Sequence, residues 1–276
     1  MGVFSEGSIR LPGREVLAFG ECGKGTPVLM LHGNPGDRDD WAGPAKLLAE
    51  RGFRCLAVDR PGHGLSSPLP AEPGQAADAC AALLRSNAGG KAIVAGYSMG
   101  AHVALDLAQR HRDLVSGVCL VAPYLMPRDE NEQPSGLPGL LDIPLLRAVL
   151  GLLLPMLGGG KIRRHLETTF KPAAADPALV DELAGRFSTF ASLEATLRDK
   201  NLFLDTYKKV LEGTATLTCP VLMITGAEDA VSGTASAEAI RKAIPGVLST
   251  VVDGGGHALP WTHASLVADR ISGRSA

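Results

Sequence analysis

Aromatic residues are scarce in this 276-residue chain, at 4%, and neither sign of charge dominates: 27 Lys and Arg stand against 29 Asp and Glu, a formal net charge of −2. There is no basic run and little to stack bases on, so nucleic acid is not an expected partner. No stretch of 18 or more apolar residues is present, and no membrane span is expected. Residues 1–10 lack the charged and apolar regions of a secretory leader, which makes the cytoplasm the expected location. Cysteine is sparse and odd in number: Cys22, Cys55, Cys80, Cys119 and Cys219, with no C-x-x-C pair. That pattern fits neither a disulfide framework nor a zinc site. Cys55 and Cys119 fall inside apolar runs, where a free thiol behaves as a small hydrophobe. The seven histidines include no H-E-x-x-H set, so no metal is expected.

What is present is ordinary globular material, 45% hydrophobic and 20% charged, in a chain long enough to bury a substantial core. Short apolar runs alternate with helical periodicity, the signature of an α/β fold with a mostly parallel central sheet flanked by helices. The expected strands are Glu15–Phe19, Val28–His32, Arg54–Asp59, Ala92–Tyr97, Val115–Ala122, Val221–Thr225 and Leu248–Val252. The expected helices are Trp41–Arg51, Gln75–Ser86, Met99–Arg110, Ala235–Ile244 and His263–Ile271.

The alternation stops at Tyr124 and resumes near Thr216, which predicts an inserted helical subdomain over 124–216 in a core made of 1–123 and 217–276. Within the insertion, Leu145–Leu154 (LLRAVLGLLL) is apolar almost all round. Such a helix is expected to be buried between insertion and core, with one face free to meet an apolar substrate.

The chemistry-bearing motif is Gly96-Tyr97-Ser98-Met99-Gly100, a G-x-S-x-G between an expected strand and an expected helix. A sharp turn there strains Ser98 and presents it at a helix N-terminus, where amides and dipole favour negative charge. The Met99 N–H becomes one oxyanion donor. A hydroxyl needs a base, and the base needs an orienting carboxylate. Glu228 and Asp229 follow the strand Val221–Thr225, and His257 follows Leu248–Val252 through three glycines. Each lies after a parallel strand, hence at the same end of the sheet.

These features together resemble the α/β-hydrolase fold family of the Ser-Asp-His type with a helical cap. The family's G-x-x-D spacing from Gly226 selects Asp229 over Glu228. His32-Gly33-Asn34-Pro35-Gly36 resembles the family's oxyanion loop, which makes the Asn34 N–H the second donor. Asp59-Arg60-Pro61-Gly62-His63-Gly64-Leu65-Ser66 resembles its D-x-x-G-x-G-x-S turn, and the insertion resembles its cap. The resemblance implies a hydrolase without cofactors whose catalytic residues are Ser98, Asp229 and His257. Serine rather than aspartate at position 98 argues against haloalkane or epoxide chemistry. His32 and His63 are expected to hold turns together, and His102, His111 and His165 to be helix residues.

The expected substrate is a small hydrophobic carboxylic ester, met by Trp41, Tyr97, Met99, Tyr124 and Leu125. Carbon–carbon bond hydrolysis of a diketone-like substrate, cofactor-free perhydrolase or lyase chemistry, and a non-catalytic receptor on the same fold are the alternatives.

Overall fold

The computed structural model of the chain describes residues 2–127, 129 and 131–273, with the side chains of 154–157 left out. Eight strands form one sheet in the order β1-β2-β4-β3-β5-β6-β7-β8. They are β1 (Ser5–Arg10), β2 (Val16–Gly23), β3 (Thr26–Leu31), β4 (Phe53–Val58), β5 (Ala92–Tyr97), β6 (Val115–Val121), β7 (Val221–Gly226) and β8 (Leu248–Val252). β1 and β2 run antiparallel at one edge, and β3 to β8 are parallel. β1 is absent from the sequence reading. Its residues, SEGSIR, are mostly exposed at the sheet edge, so they lack the apolar run that marks the buried strands.

The central strands are apolar without alternation because both faces are covered. Leu29, Leu31 and Leu56 pack on one side with Leu84 of α2 (Gln75–Asn87), Leu105 of α3 (Gly100–Arg110) and Ile240 of α8 (Ala235–Ala243). Val28, Met30 and Cys55 pack on the other side with Leu48 of α1 (Ala42–Ala49) and Val267 of the last helix (Ala264–Ile271). Cys80 and Cys119 are buried free thiols, pushed by burial to a pKa of about 12, so they behave as packing residues at neutral pH.

Between β6 and β7 lie α4 (Leu137–Leu141), α5 (Pro144–Phe170), α6 (Pro177–Phe187) and α7 (Phe190–Gly213). Asp176 and Thr189 cap α6 and α7 through their side chains. Ile162, Leu166 and Phe170 of α5 bury against Val180, Leu183 and Phe187 of α6. The early part of α5 departs from expectation. Leu145 and Leu152 are 74% and 71% exposed, with Val149 and Leu153 also exposed, and none of the four lines the cavity beside Ser98. The stretch is apolar all round, but the insertion packs against α5 mainly through its second half, which leaves the first half facing outward. Leu154 lies among the side chains outside the description. No single described helix is long and apolar enough to cross a membrane.

Candidate active site

The site sits at the carboxyl ends of β3, β5, β7 and β8, where the loops of a parallel sheet converge. β5 ends on Tyr97 and α3 begins at Gly100, so Ser98 and Met99 make the whole turn. Ser98 holds a φ of 52°, a left-handed conformation costly for a residue with a side chain. The flanking glycines are required by space. A Cβ at Gly96 would stand 2.5 Å from the Gly100 carbonyl oxygen, and one at Gly100 would stand 2.3 Å from that of Leu31.

Ser98 Oγ lies 2.8 Å from His257 Nε2, and His257 Nδ1 lies 2.8 Å from Asp229 Oδ2. Because a carboxylate only accepts, Nδ1 carries the ring proton and Nε2 is free to accept from the serine hydroxyl. The other Asp229 oxygen, Oδ1, accepts from the amides of Val231 and Ser232, each at 2.8 Å. Burial pushes the Asp229 pKa upward, but the hydrogen bond and charge of His257 and the two amides outweigh it and hold the carboxyl below its ordinary value. Glu228 and Asp253 are exposed to solvent. Tyr97 packs its ring 5.4 Å from that of His257.

The loop of Gly33, Asn34 and Pro35 is held by a buried network. The Arg60 amide donates to His32 Nε2, which leaves the proton on Nδ1 to donate to the Gly33 carbonyl. Arg60 Nη2 donates to the same carbonyl at 2.8 Å, and Arg60 Nε donates to that of His32. In a trans peptide the N–H points away from the C=O, so two donors pinning the Gly33 oxygen aim the Asn34 N–H the opposite way. Among the described residues, neither the Asn34 nor the Met99 amide donates to another group. Burial and the nearby Arg60 charge keep His32 neutral, with its pKa well below the ordinary value. Asp59 and Ser66 brace the following turn: Asp59 accepts from the amides of Arg38 and Leu65, and Ser66 Oγ bridges the Asp59 carbonyl and the Ala18 amide.

Arg60 also reaches the insertion. Its Nη1 is 2.5 Å from Asp199 Oδ2 on α7, and His63 Nε2 is 3.0 Å from the same oxygen. Asp199 occupies the inward stripe of α7 that Ala195, Phe203 and Val210 also occupy. Burial would raise its pKa, but Arg60 and His63 overcome that and hold it at about 2. A carboxyl with a depressed native pKa stabilises the fold above its unfolded value and loses that contribution as pH falls through the native value. The Asp199 contribution is therefore complete above about pH 4 and is lost between there and about pH 2. Asp199→Asn is expected to lower stability at pH 7 by about 2 kcal/mol and to flatten the fall in Tm between about pH 4 and about pH 2. Thermal melts of both proteins across that range check it.

A cavity of about 450 Å³ opens beside Ser98, lined below by Asn34, Met99, Tyr124, Phe203, Leu204 and Val231. Its α5 wall is Lys161, Arg164, His165 and Thr168. A smaller recess of about 30 Å³ lies against Ser98, His257, Asn34 and Tyr97, also under His165. Trp41 and Leu125, expected to meet the substrate, line neither space. Both are fully buried in the core, Trp41 on one sheet face and Leu125 on the other. Tyr97 borders the small recess, and Tyr124 the large cavity.

The α5 wall went unread in the sequence. Its signal is the polar i, i+3, i+4, i+7 stripe of Lys161, Arg164, His165 and Thr168 beside the apolar positions Ile162 and Leu166. Lys161 and Arg164 are exposed yet border the cavity, with the half-buried His165 and Thr168 further in. His165 is partly buried over the site, and burial together with the charge of His257 lowers its pKa. Among the described residues no cluster of metal-ligating side chains is found.

Comparison with known proteins agrees with this architecture. The alpha/beta hydrolase family model matches residues 28–270. The chain is similar to 2-(acetamidomethylene)succinate hydrolase of Mesorhizobium japonicum, at 27% identity over 89% of this chain and 86% of that protein. It is also similar to pimeloyl-[acyl-carrier protein] methyl ester esterase of Chromobacterium violaceum, at 30% identity over 81% and 84%. Among solved structures, a thermophilic esterase from Thermogutta terrifontis superposes with a TM-score of 0.74 at 25% identity, covering 98% of this chain and 97% of that one. The family match covers most of the sequence and the structural likeness nearly all of it: the chain is an enzyme of the alpha/beta hydrolase family.

Proposed function

We propose that this enzyme is a serine hydrolase that cleaves small carboxylic esters through an acyl-enzyme, and that residues 124–216 act as a cap over a core of residues 1–123 and 217–276. The observation that carries the reading is the unbroken hydrogen-bonded chain from Ser98 through His257 to Asp229, beside two amides that donate to no other group among the described residues.

Ser98 Oγ attacks the ester carbonyl carbon while His257 Nε2 takes its proton, and the carbonyl oxygen becomes an oxyanion between the Asn34 and Met99 amides. Each donor contributes roughly 3–4 kcal/mol to lowering the barrier. The C–O bond to the leaving alcohol then breaks as His257 returns the proton to it. Water repeats the sequence on the acyl-enzyme and releases the acid and Ser98. The recess of about 30 Å³ beside Ser98 and His257 has room for such a water. Asp229 stays ionised throughout, holding the ring in its reactive tautomer and stabilising the imidazolium.

Met99, Tyr124, Phe203 and Leu204 support an acyl group with an apolar body. The Chromobacterium violaceum relative, named as an ester esterase, favours ester cleavage over carbon–carbon cleavage. Free, widely spaced cysteines favour a reducing compartment, the cytoplasm. A fluorophosphonate probe is expected to label Ser98, and a 4-nitrophenyl ester series from acetate to decanoate to reveal the accepted chain length by its best kcat/KM. Folded protein that neither reacts with the probe nor turns over any ester would overturn the proposal.

A further inference from the structure

The walls of the large cavity differ in kind. Below lie apolar groups and the reactive serine, and α5 turns the stripe of Lys161, Arg164, His165 and Thr168 toward them. Among the described residues, the arginines of the insertion other than Arg164 all have acid partners, whereas Lys161 shares its lack of one with Lys171, Lys208 and Lys209. Arg147 pairs with Glu194, Arg163 with Glu167 and Asp181, Arg186 with Asp37, Asp39 and Glu182, and Arg198 with Asp142 and Glu194. At the cavity, Lys200 pairs with Glu132. Among the described residues, Lys161 and Arg164 have no carboxylate within ion-pair distance. The contrast is sharpest within one helical turn: Arg163, outside the cavity lining, has acid partners, while its neighbour Arg164 has none among the described residues. Among the described residues, then, two cations without an ion pair border a cavity whose one lining carboxylate, Glu132, is paired with Lys200.

We infer that the substrate is anionic, an ester whose acyl chain ends in a free carboxylate. This rests on the ester-hydrolase reading of the same site. The acyl chain lies along Met99, Phe203 and Leu204, and the remote carboxylate is taken by Lys161 and Arg164, where the guanidinium can bind both its oxygens. Water and the monoester give a dicarboxylate and an alcohol, with no other reactant. Positive charge at the entrance also draws the anion in, an effect that salt screens.

The test compares 4-nitrophenyl hydrogen glutarate with 4-nitrophenyl hexanoate on the full chain. At low salt the anionic ester is expected to have at least about threefold the kcat/KM of the neutral one, because two exposed cations at the cavity edge each add the modest attraction of a solvent-screened pair. The ratio should fall in 0.5 M sodium chloride and collapse to one or below in Lys161→Glu/Arg164→Glu. If that variant does not fold, Lys161→Gln/Arg164→Gln reads the same ratio. A wild-type ratio of one or less, or a ratio unchanged in the folded variant, overturns the inference. A second measurement is independent of turnover: calorimetric titration of monomethyl glutarate into the Ser98→Ala protein. Binding that disappears when Lys161 and Arg164 are also replaced sustains the anion site even if no ester is ever cleaved, whereas no binding to Ser98→Ala removes the anion site and leaves the serine chemistry standing.

Discussion

Ser98→Ala is expected to lower kcat toward 4-nitrophenyl esters by about 10⁶ while leaving the fold intact, with a remnant of catalysis from the Asn34 and Met99 amides and from binding. In the proposed mechanism Ser98, His257 and Asp229 act as one relay, so without the hydroxyl the base has no proton to take and no covalent intermediate forms, which makes the expected loss large. The same residue predicts an opposite change in stability. Its φ of 52° costs an L-residue about 1 kcal/mol or more, and the surrounding contacts hold it there. Ser98→Gly, free of that penalty, is expected to be as inactive as Ser98→Ala yet to melt about 2 °C above it. Steady-state kinetics and calorimetric melts of both variants check the pair. Retained activity in folded Ser98→Ala, or a lower Tm for Ser98→Gly, would contradict the nucleophile and the strain respectively.

Asp229→Asn is expected to cost about 10⁴ in kcat, far more than the loss of one charge in a polar setting would suggest. The reason lies in which oxygen does what. Oδ1 receives two amide protons from Val231 and Ser232, so an asparagine must place its own oxygen there. Its NH₂ group then takes the place of Oδ2 and faces His257 Nδ1. That nitrogen must now accept, the ring proton moves to Nε2, and the atom facing Ser98 can no longer take its proton. The variant should fold as the parent does, with kcat showing the loss and KM little changed. Kinetics and a melt measured together separate this wrong tautomer from simple destabilisation.

Much of this was legible in the residues because the parts that position the serine are dictated by sterics and by strand order. Gly96 and Gly100 have no room for a side chain, and that constraint is written as a spacing. The carboxyl ends of β5, β7 and β8 share one side of the sheet because the strands between them are parallel, so order along the chain implies nearness in space. What stayed hidden depends on packing with no local pattern. β1 is an exposed edge strand whose partner across six residues, not its own composition, makes it a strand. Trp41 has the chemistry of a pocket wall, but its position at the start of α1 puts it in the core among Met30, Ala45 and Leu259. Leu145 and Leu152 look buried by composition and are exposed because nothing described packs over them. Lys161 and Arg164 look like solvated helix residues, and only the fold of α5 over the sheet turns them toward the cavity.

One guanidinium touches both machinery and roof: Arg60, 2% exposed at its side chain, clasps the Gly33 carbonyl with one nitrogen and Asp199 of α7 with another. The placing of the Gly33–Asn34 peptide and the seating of α7 thus depend on one side chain, and loss of the Arg60 guanidinium removes both contacts together. Grafting a foreign insertion onto this scaffold would have to reproduce an acid at the position of Asp199, whatever new specificity the graft was meant to bring.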